Sequence, residues 1–349
     1  MLQTNQKMRQ AVMVSPGNIQ FRMVEIPEIS VDYVLVKVMR IGVCGSDIHV
    51  YHGQHPYTPY PVVQGHETSC VVEKVGSNVI GFEPGDKVTI EPQVPCGKCY
   101  ACKCGLYNIC DQLKVIGFQT TGVASDYFAV PANKLVKMPA EMSYDAGAMI
   151  EPLAVGVHAV QKAGDITGKN ILVYGAGPIG NLVAQAAKAL GAAEVMIVDI
   201  NDKRLEIARQ CGADYAVNPR HENLTNRLGE AWGIQKKADC IFECSGAEAA
   251  IHSAIENARK GTDIVVVAVY GQAPLMDMAL VNEAELKLIG TARYIIDDFR
   301  TAIRLVESGN VQLDPLITDI FAFERYDDSY QKIEKYPETT MKMLIRVNE

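Results

Sequence analysis

Residues 171–190 read ILVYGAGPIGNLVAQAAKAL. The opening five are apolar, the length of a strand buried on both faces, and the closing ten carry apolar residues at helical spacing. Between them stands Gly175-Ala-Gly177-Pro178-Ile179-Gly180, a glycine-rich turn leading from strand to helix. In such a turn the first glycine permits a tight bend and the second lets a pyrophosphate approach the backbone. The third allows helix and strand to touch, and the helix N-terminus offers unpaired N–H groups to the phosphates. Without a nucleotide, the same glycines would only turn a strand into a helix. Asp199 weighs for the nucleotide, because it ends the next apolar strand, EVMIVDI (194–200), 19 residues beyond Gly180. A carboxylate there would hydrogen-bond the ribose hydroxyls and repel a 2′-phosphate, which favours NAD over NADP. Arg204, one turn into the following helix, would stack on adenine or else accommodate a 2′-phosphate.

Outward from this unit the pattern repeats. ADCIFECSG (238–246), TDIVVVAVYG (262–271) and ELKLIGTA (285–292) read as further strands, alternating with helical stretches at 247–259 and near 275–284. Apolar strands alternating with helices predict a parallel sheet covered on both faces. The first 150 or so residues differ. VLVKVMRIGV (34–43), SCVVEKVG (69–76) and GFEPGDKVTIEP (81–92) are β-branched runs punctuated by glycine and proline. After Arg293 come a helix (298–308) and a strand-like ending, MKMLIRV (341–347), which is expected to return to the first domain.

The chain has 349 residues, enough for two domains, with 48% hydrophobic and 21% charged residues. Its net charge of −8 and lack of a basic block argue against nucleic acid and against anionic membrane surfaces as partners. No apolar run approaches the roughly 20 residues of a bilayer span. The start, MLQTNQKMRQ, is polar, so the expectation is a cytoplasmic protein with reduced thiols.

Reduced thiols matter for CGKCYACKCGLYNIC (96–110). Cys96, Cys99, Cys102 and Cys110 follow a Cys-x2-Cys-x2-Cys-x7-Cys spacing that would wrap one tetrahedral zinc in sulfur and leave no open position. Cys104 is a fifth thiol in the run, and a disulfide cluster is the alternative. A second, open site is suggested upstream by Cys44-Gly-Ser-Asp-Ile-His49 and Gly65-His66-Glu67. Thiolate, imidazole and carboxylate together make a first shell for a catalytic zinc. Glu151, in the apolar stretch MIEPLAVGVHA, needs a partner if buried, and a metal site would supply one.

Taken in order, Cys-Gly-Ser-Asp-x-His, Gly-His-Glu, Gly85-Asp86-x-Val88, the four-cysteine run and GAGPIG resemble the zinc-dependent medium-chain dehydrogenase/reductase family over nearly the whole chain. IEPLAVGVHA (150–159), ECSGAEAAI (243–251) and the pair Arg293-Tyr294 are similar to its sorbitol (L-iditol) dehydrogenase branch. The resemblance implies an α/β protein: a GroES-like β-rich catalytic domain (1–153 and 293–349) with an inserted Rossmann doubly wound domain (154–292). It implies NAD as cofactor, two Zn2+ per subunit, and a homotetramer or dimer.

Residue by residue, it implies Cys44 and His66 as zinc ligands and Glu67 or Glu151 as the third. The implied reaction is reversible oxidation of a polyol secondary alcohol to a ketose, with hydride transfer to NAD. Ser46 and His49 would relay the proton, with Glu151 as competing base. Arg293, Tyr294 and Phe118 would contact the substrate. A sugar-acid or sugar-phosphate dehydrogenase is the near alternative. A zinc-free quinone reductase or a non-catalytic NAD(P)H-binding protein is disfavoured by intact Cys44, His66 and Glu67.

Overall fold

The computed structural model describes residues 6–233 and 237–349. Internal contacts divide it into two units, Met1–Glu151 with Ile317–Glu349, and Pro152–Leu316.

In the first unit the central strand is Tyr33–Val43, whose eleven residues are long enough to serve three partners. Glu67–Val75 pairs antiparallel along one side. On the other side Tyr127–Pro131 covers Tyr33 to Lys37, and Lys342–Arg346 covers Arg40 to Val43. Ile317–Ala322, Lys87–Ile90 and Leu135–Lys137 complete a seven-stranded sheet. Val34, Val36, Val38, Ile41 and Val43 are buried, as β-branched residues in a covered strand should be. The C-terminal strand thus lies in the middle of the N-terminal unit.

In the second unit six strands run parallel. Their order is Tyr215–Val217, Glu194–Val198, Asn170–Tyr174, Ala238–Glu243, Ala258–Val266, Lys287–Gly290. Ile171, Leu172 and Val173 have no exposed surface, the cost-free use of a continuous apolar strand. The order grows outward from Asn170–Tyr174 and reverses beside it, which creates the switch point where such sheets bind nucleotides. The strand expected over 262–271 starts earlier and stops at Val266. Beyond it, the N–H groups of Val267 and Ala268 both donate to the Glu243 carbonyl, and pairing ends.

The boundary expected at residue 293 differs from the observed division, since 293–316 belong with the parallel sheet. The helix Ile296–Glu307 buries Phe299, Ala302, Ile303 and Leu305 there. Its Asp298 lies 2.8 Å from His158 Nδ1, and both side chains are buried. An amphipathic helix goes where its apolar stripe is covered.

Candidate active site and metal centres

Cys44 precedes a short helix, Gly45–Tyr51, and its N–H donates to Asp47 Oδ2 at 2.9 Å. His66 immediately precedes the strand Glu67–Val75 beside Tyr33–Val43, and Glu67 begins it. The turn before them needs Gly65, whose φ of +92° lies in the left-handed region. One donor atom each from Cys44, His66 and Glu67 falls within 4.8 Å of the others. Zinc bonds of about 2.0–2.3 Å put neighbouring ligand atoms about 3.5 Å apart, so a small adjustment closes this group on one ion.

The surroundings favour a cation. His66 Nδ1 lies 3.5 Å from Asp47 Oδ1, the side on which a carboxylate orients a metal-binding imidazole, which leaves Nε2 for a metal. Burial opposes a charged His66, but Asp47 and Cys44 outweigh it and raise the His66 pKa. Asp47 is held in turn by Gln64 Nε2 at 3.3 Å, and Gln64 Oε1 accepts from Tyr330 Oη at 2.9 Å.

One wall is aromatic. The rings of His66 and Phe118 are 4.9 Å apart, and those of Phe118 and His55 are 5.0 Å apart. Thr58 Oγ1 fixes His55 through Nδ1 at 2.7 Å. Burial lowers the His55 pKa, as does the neighbouring His49, while Asp47 acts against them. Ser46 is half-buried on the short helix, and His49 is exposed in its last turn.

Cys96, Cys99, Cys102 and Cys110 form a second group, with donor atoms within 4.8 Å. Cys104 is exposed and outside it. Backbone N–H groups point at the sulfurs: Cys96 N and Gln112 N lie 3.2 and 3.3 Å from Cys110 Sγ. Bonds from the Lys98 and Cys99 backbones pull the Cys96 thiol down to about 6. Burial and the neighbouring thiols push Cys102 up to about 12. Four crowded sulfurs cannot all ionise unless a cation neutralises them, and this donor set fits structural zinc.

At the glycine turn, Gly175 takes φ +94°. Gly177 is the N-cap, and Pro178 and Ile179 open the helix Pro178–Ala189, proline being pre-shaped for that place. A Cβ on Gly180 would stand 1.7 Å from the Gly175 carbonyl oxygen. Asp199 closes the turn: Oδ2 accepts from Ala176 N at 2.7 Å and Oδ1 from Asn201 N at 2.8 Å. Each oxygen keeps lone-pair capacity for a ribose hydroxyl.

Residues 30–140 match the alcohol dehydrogenase GroES-like domain, and residues 178–308 match the zinc-binding dehydrogenase domain. The chain belongs to the zinc-binding dehydrogenase family. It is 36% identical over 335 residues to the 2-dehydro-3-deoxy-L-galactonate 5-dehydrogenase of Pseudoalteromonas atlantica, covering 95% of this chain and 97% of that one. It is 38% identical over 332 residues to sorbitol dehydrogenase 1 of Saccharomyces cerevisiae, covering 91% and 92%. A crystal structure of an Escherichia coli oxidoreductase of unknown specificity superposes with a TM-score of 0.93. That chain is 31% identical, with 99% of this one and 100% of that one covered. The protein is accordingly an NAD(P)-dependent oxidoreductase acting on a CH–OH group.

Within this dehydrogenase the remaining expected residues scatter. Glu151 is buried in the first turn of the helix Ile150–Lys162 and falls outside the Cys44–His66–Glu67 group, although its charge reaches Lys342. Arg204 is half-buried on the helix Asp202–Gln210. Arg293 is exposed at φ +57°, a strained value for a non-glycine residue. Tyr294 is 3% exposed, its ring packed edge-on to Phe299 at 5.0 Å, so most of it is core rather than surface.

Sequence reading passes over two residues at the metal group, Asp47 and Lys342. Asp47 lies inside the quoted Cys-Gly-Ser-Asp motif, and its place three residues after Cys44 is the signal. The signal for Lys342 is fainter, a lysine in the apolar run MKMLIRV.

Cys102→Ser should remove one metal ion per chain from the dehydrogenase, with a clear fall in Tm. The protein still folded should keep its turnover per active chain. Elemental analysis and thermal melting check this, and an unchanged metal count would refute the four-sulfur site.

Proposed function

We propose that this dehydrogenase oxidises a secondary alcohol of a polyol of the sorbitol, xylitol or iditol kind to the ketose, with NAD as hydride acceptor. The observation that carries the reading is the group of half-buried Cys44 with buried His66 and Glu67, beside an aromatic wall. Cys44, His66 and Glu67 would hold zinc, which when bound acts as a Lewis acid on the substrate oxygen; nicotinamide takes the hydride. Four cysteines would hold a second, structural zinc, in a homotetramer or dimer.

The chain's own side chains would do the rest. Phe118 shields the reacting carbon from water. Ser46, half-buried, and His49, exposed, lie on one helix and would pass the hydroxyl proton outward. Glu151 is the competing base. Arg293 and the Tyr294 hydroxyl would contact distal hydroxyls.

A second reading, a sugar-acid dehydrogenase, is supported by His55. Its imidazole borders Phe118 and offers a polar contact at the end of the wall. The Pseudoalteromonas relative is named for a galactonate derivative. Steady-state rates over polyols, sugar acids and sugar phosphates would decide, and preference for an acid would overturn the polyol reading.

For the cofactor, Asp199→Ala should raise KM for NAD about tenfold, the loss of one hydrogen bond to a charged group. KM for NADP should change less, which narrows the preference. Equal effects on both nucleotides would undo the ribose assignment.

A further inference from the structure

Lys342 is 4% exposed and Glu67 1%, and they meet in the middle of the first unit's sheet. Lys342 Nζ donates to Glu67 Oε1 and Oε2, each at 2.7 Å, and to the Val43 carbonyl at 3.2 Å. The three ammonium protons thus all have acceptors. Their strands are not neighbours, because Tyr33–Val43 lies between them. Strands are about 4.8 Å apart, so side chains must span roughly 10 Å across the central one.

Gly42 makes this span possible. It is in register with Glu67 on one side and with Leu344, two residues beyond Lys342 and on the same face, on the other. A Cβ at Gly42 would stand 2.1 Å from Glu67 Oε2. The carboxylate therefore lies over the bare glycine and meets the ammonium from the far strand.

We propose that Lys342 is a positioning residue of the Cys44–His66–Glu67 group, holding the Glu67 carboxylate so as to limit how strongly it binds the metal. The proposal rests on the reading of that group as the catalytic zinc site. A carboxylate has about four lone-pair sites, and the ammonium takes one on each oxygen. Its positive charge, buried and little screened by salt, opposes donation from the oxygens that remain. Glu67 is kept within reach of the ion but is a weakened ligand, and a substrate oxygen competes with it on better terms.

The test uses full-length zinc-loaded protein and follows zinc loss into a chromophoric chelator. Cys44→Ser, which keeps only the four-cysteine metal, gives the baseline. Lys342→Met should release the second zinc about tenfold more slowly than wild type, the scale on which outer-shell partners alter metal affinity. Lys342→Gln keeps a donor without the charge, and should show the same direction if the methionine variant fails to fold.

Cobalt substituted at this site should show a shifted visible band in both variants, and Lys342→Arg should restore the wild-type band. Removing Glu67 as well, in Glu67→Gln/Lys342→Met, should abolish the gain. A lysine that only supported the fold would give the opposite sign, so release unchanged or faster than wild type overturns the proposal. Wild-type protein whose only zinc survives Cys44→Ser would instead overturn the catalytic-zinc reading on which it stands.

Discussion

Cys44→Ser should abolish alcohol oxidation and leave NADH binding intact. Cysteine and serine have nearly the same shape, and the Cys44 N–H bond to Asp47 Oδ2 does not involve the side chain, so the local fold survives. What is lost is the one soft, charged donor of the group, since a neutral hydroxyl is a poor zinc ligand. The expected fall in kcat is about 10²–10³-fold or more, the scale set by losing a main electrostatic stabiliser of a reacting oxygen. The glycine turn that would bind the nucleotide is built in the other unit, Pro152–Leu316, and needs nothing from Cys44. NADH fluorescence titration beside steady-state rates makes the comparison. Surviving turnover, or NADH binding lost together with it, would overturn the picture of two separately built sites.

Gly180→Ala should have the mirror effect, with loss of cofactor first. The added methyl would stand 1.7 Å from the Gly175 carbonyl oxygen, a backbone atom that cannot rotate away. Helix and turn must separate, at about 1–3 kcal/mol or more for overpacking of this kind. The N–H groups at the start of Pro178–Ala189 then lose their aim at a pyrophosphate. Each hydrogen bond to a charged group is worth about 1.5–3 kcal/mol, so NADH affinity should fall by about tenfold to a hundredfold. Metal content should not change. Calorimetry and thermal melting test this, and wild-type affinity with a wild-type Tm would refute the close packing at that turn.

Much of this was legible in the chain itself, because the signals are local. A strand, a glycine turn and a helix in immediate succession declare a nucleotide-binding unit, since turn geometry and phosphate contact depend on neighbours in sequence. The cysteine spacing 96–99–102–110 works likewise: the ligands of one small loop are close in sequence, and the structure selects those four and leaves Cys104 outside. His66 and Glu67 are adjacent residues, and Cys44 stands beside an aspartate and a histidine that mark it out.

What the tertiary structure alone decided depends on strand order. Glu67 and Lys342 are 275 residues apart, and nothing in MKMLIRV announces that its lysine will cross a central strand at Gly42 to reach a carboxylate. Tyr330 reaches Gln64 across 266 residues in the same way. The sequence favours Glu67 as the third partner of Cys44 and His66 without separating it from Glu151; among the described residues, a Glu67 oxygen lies within 4.8 Å of the Cys44 and His66 donor atoms and Glu151 is not in that group. The placement of 293–316 followed the buried stripe of a helix, which is visible as a pattern, although the sheet that covers it is not. Local chemistry is written in neighbouring residues, whereas long-range partners are set by which strands lie side by side, a consequence of packing the whole core.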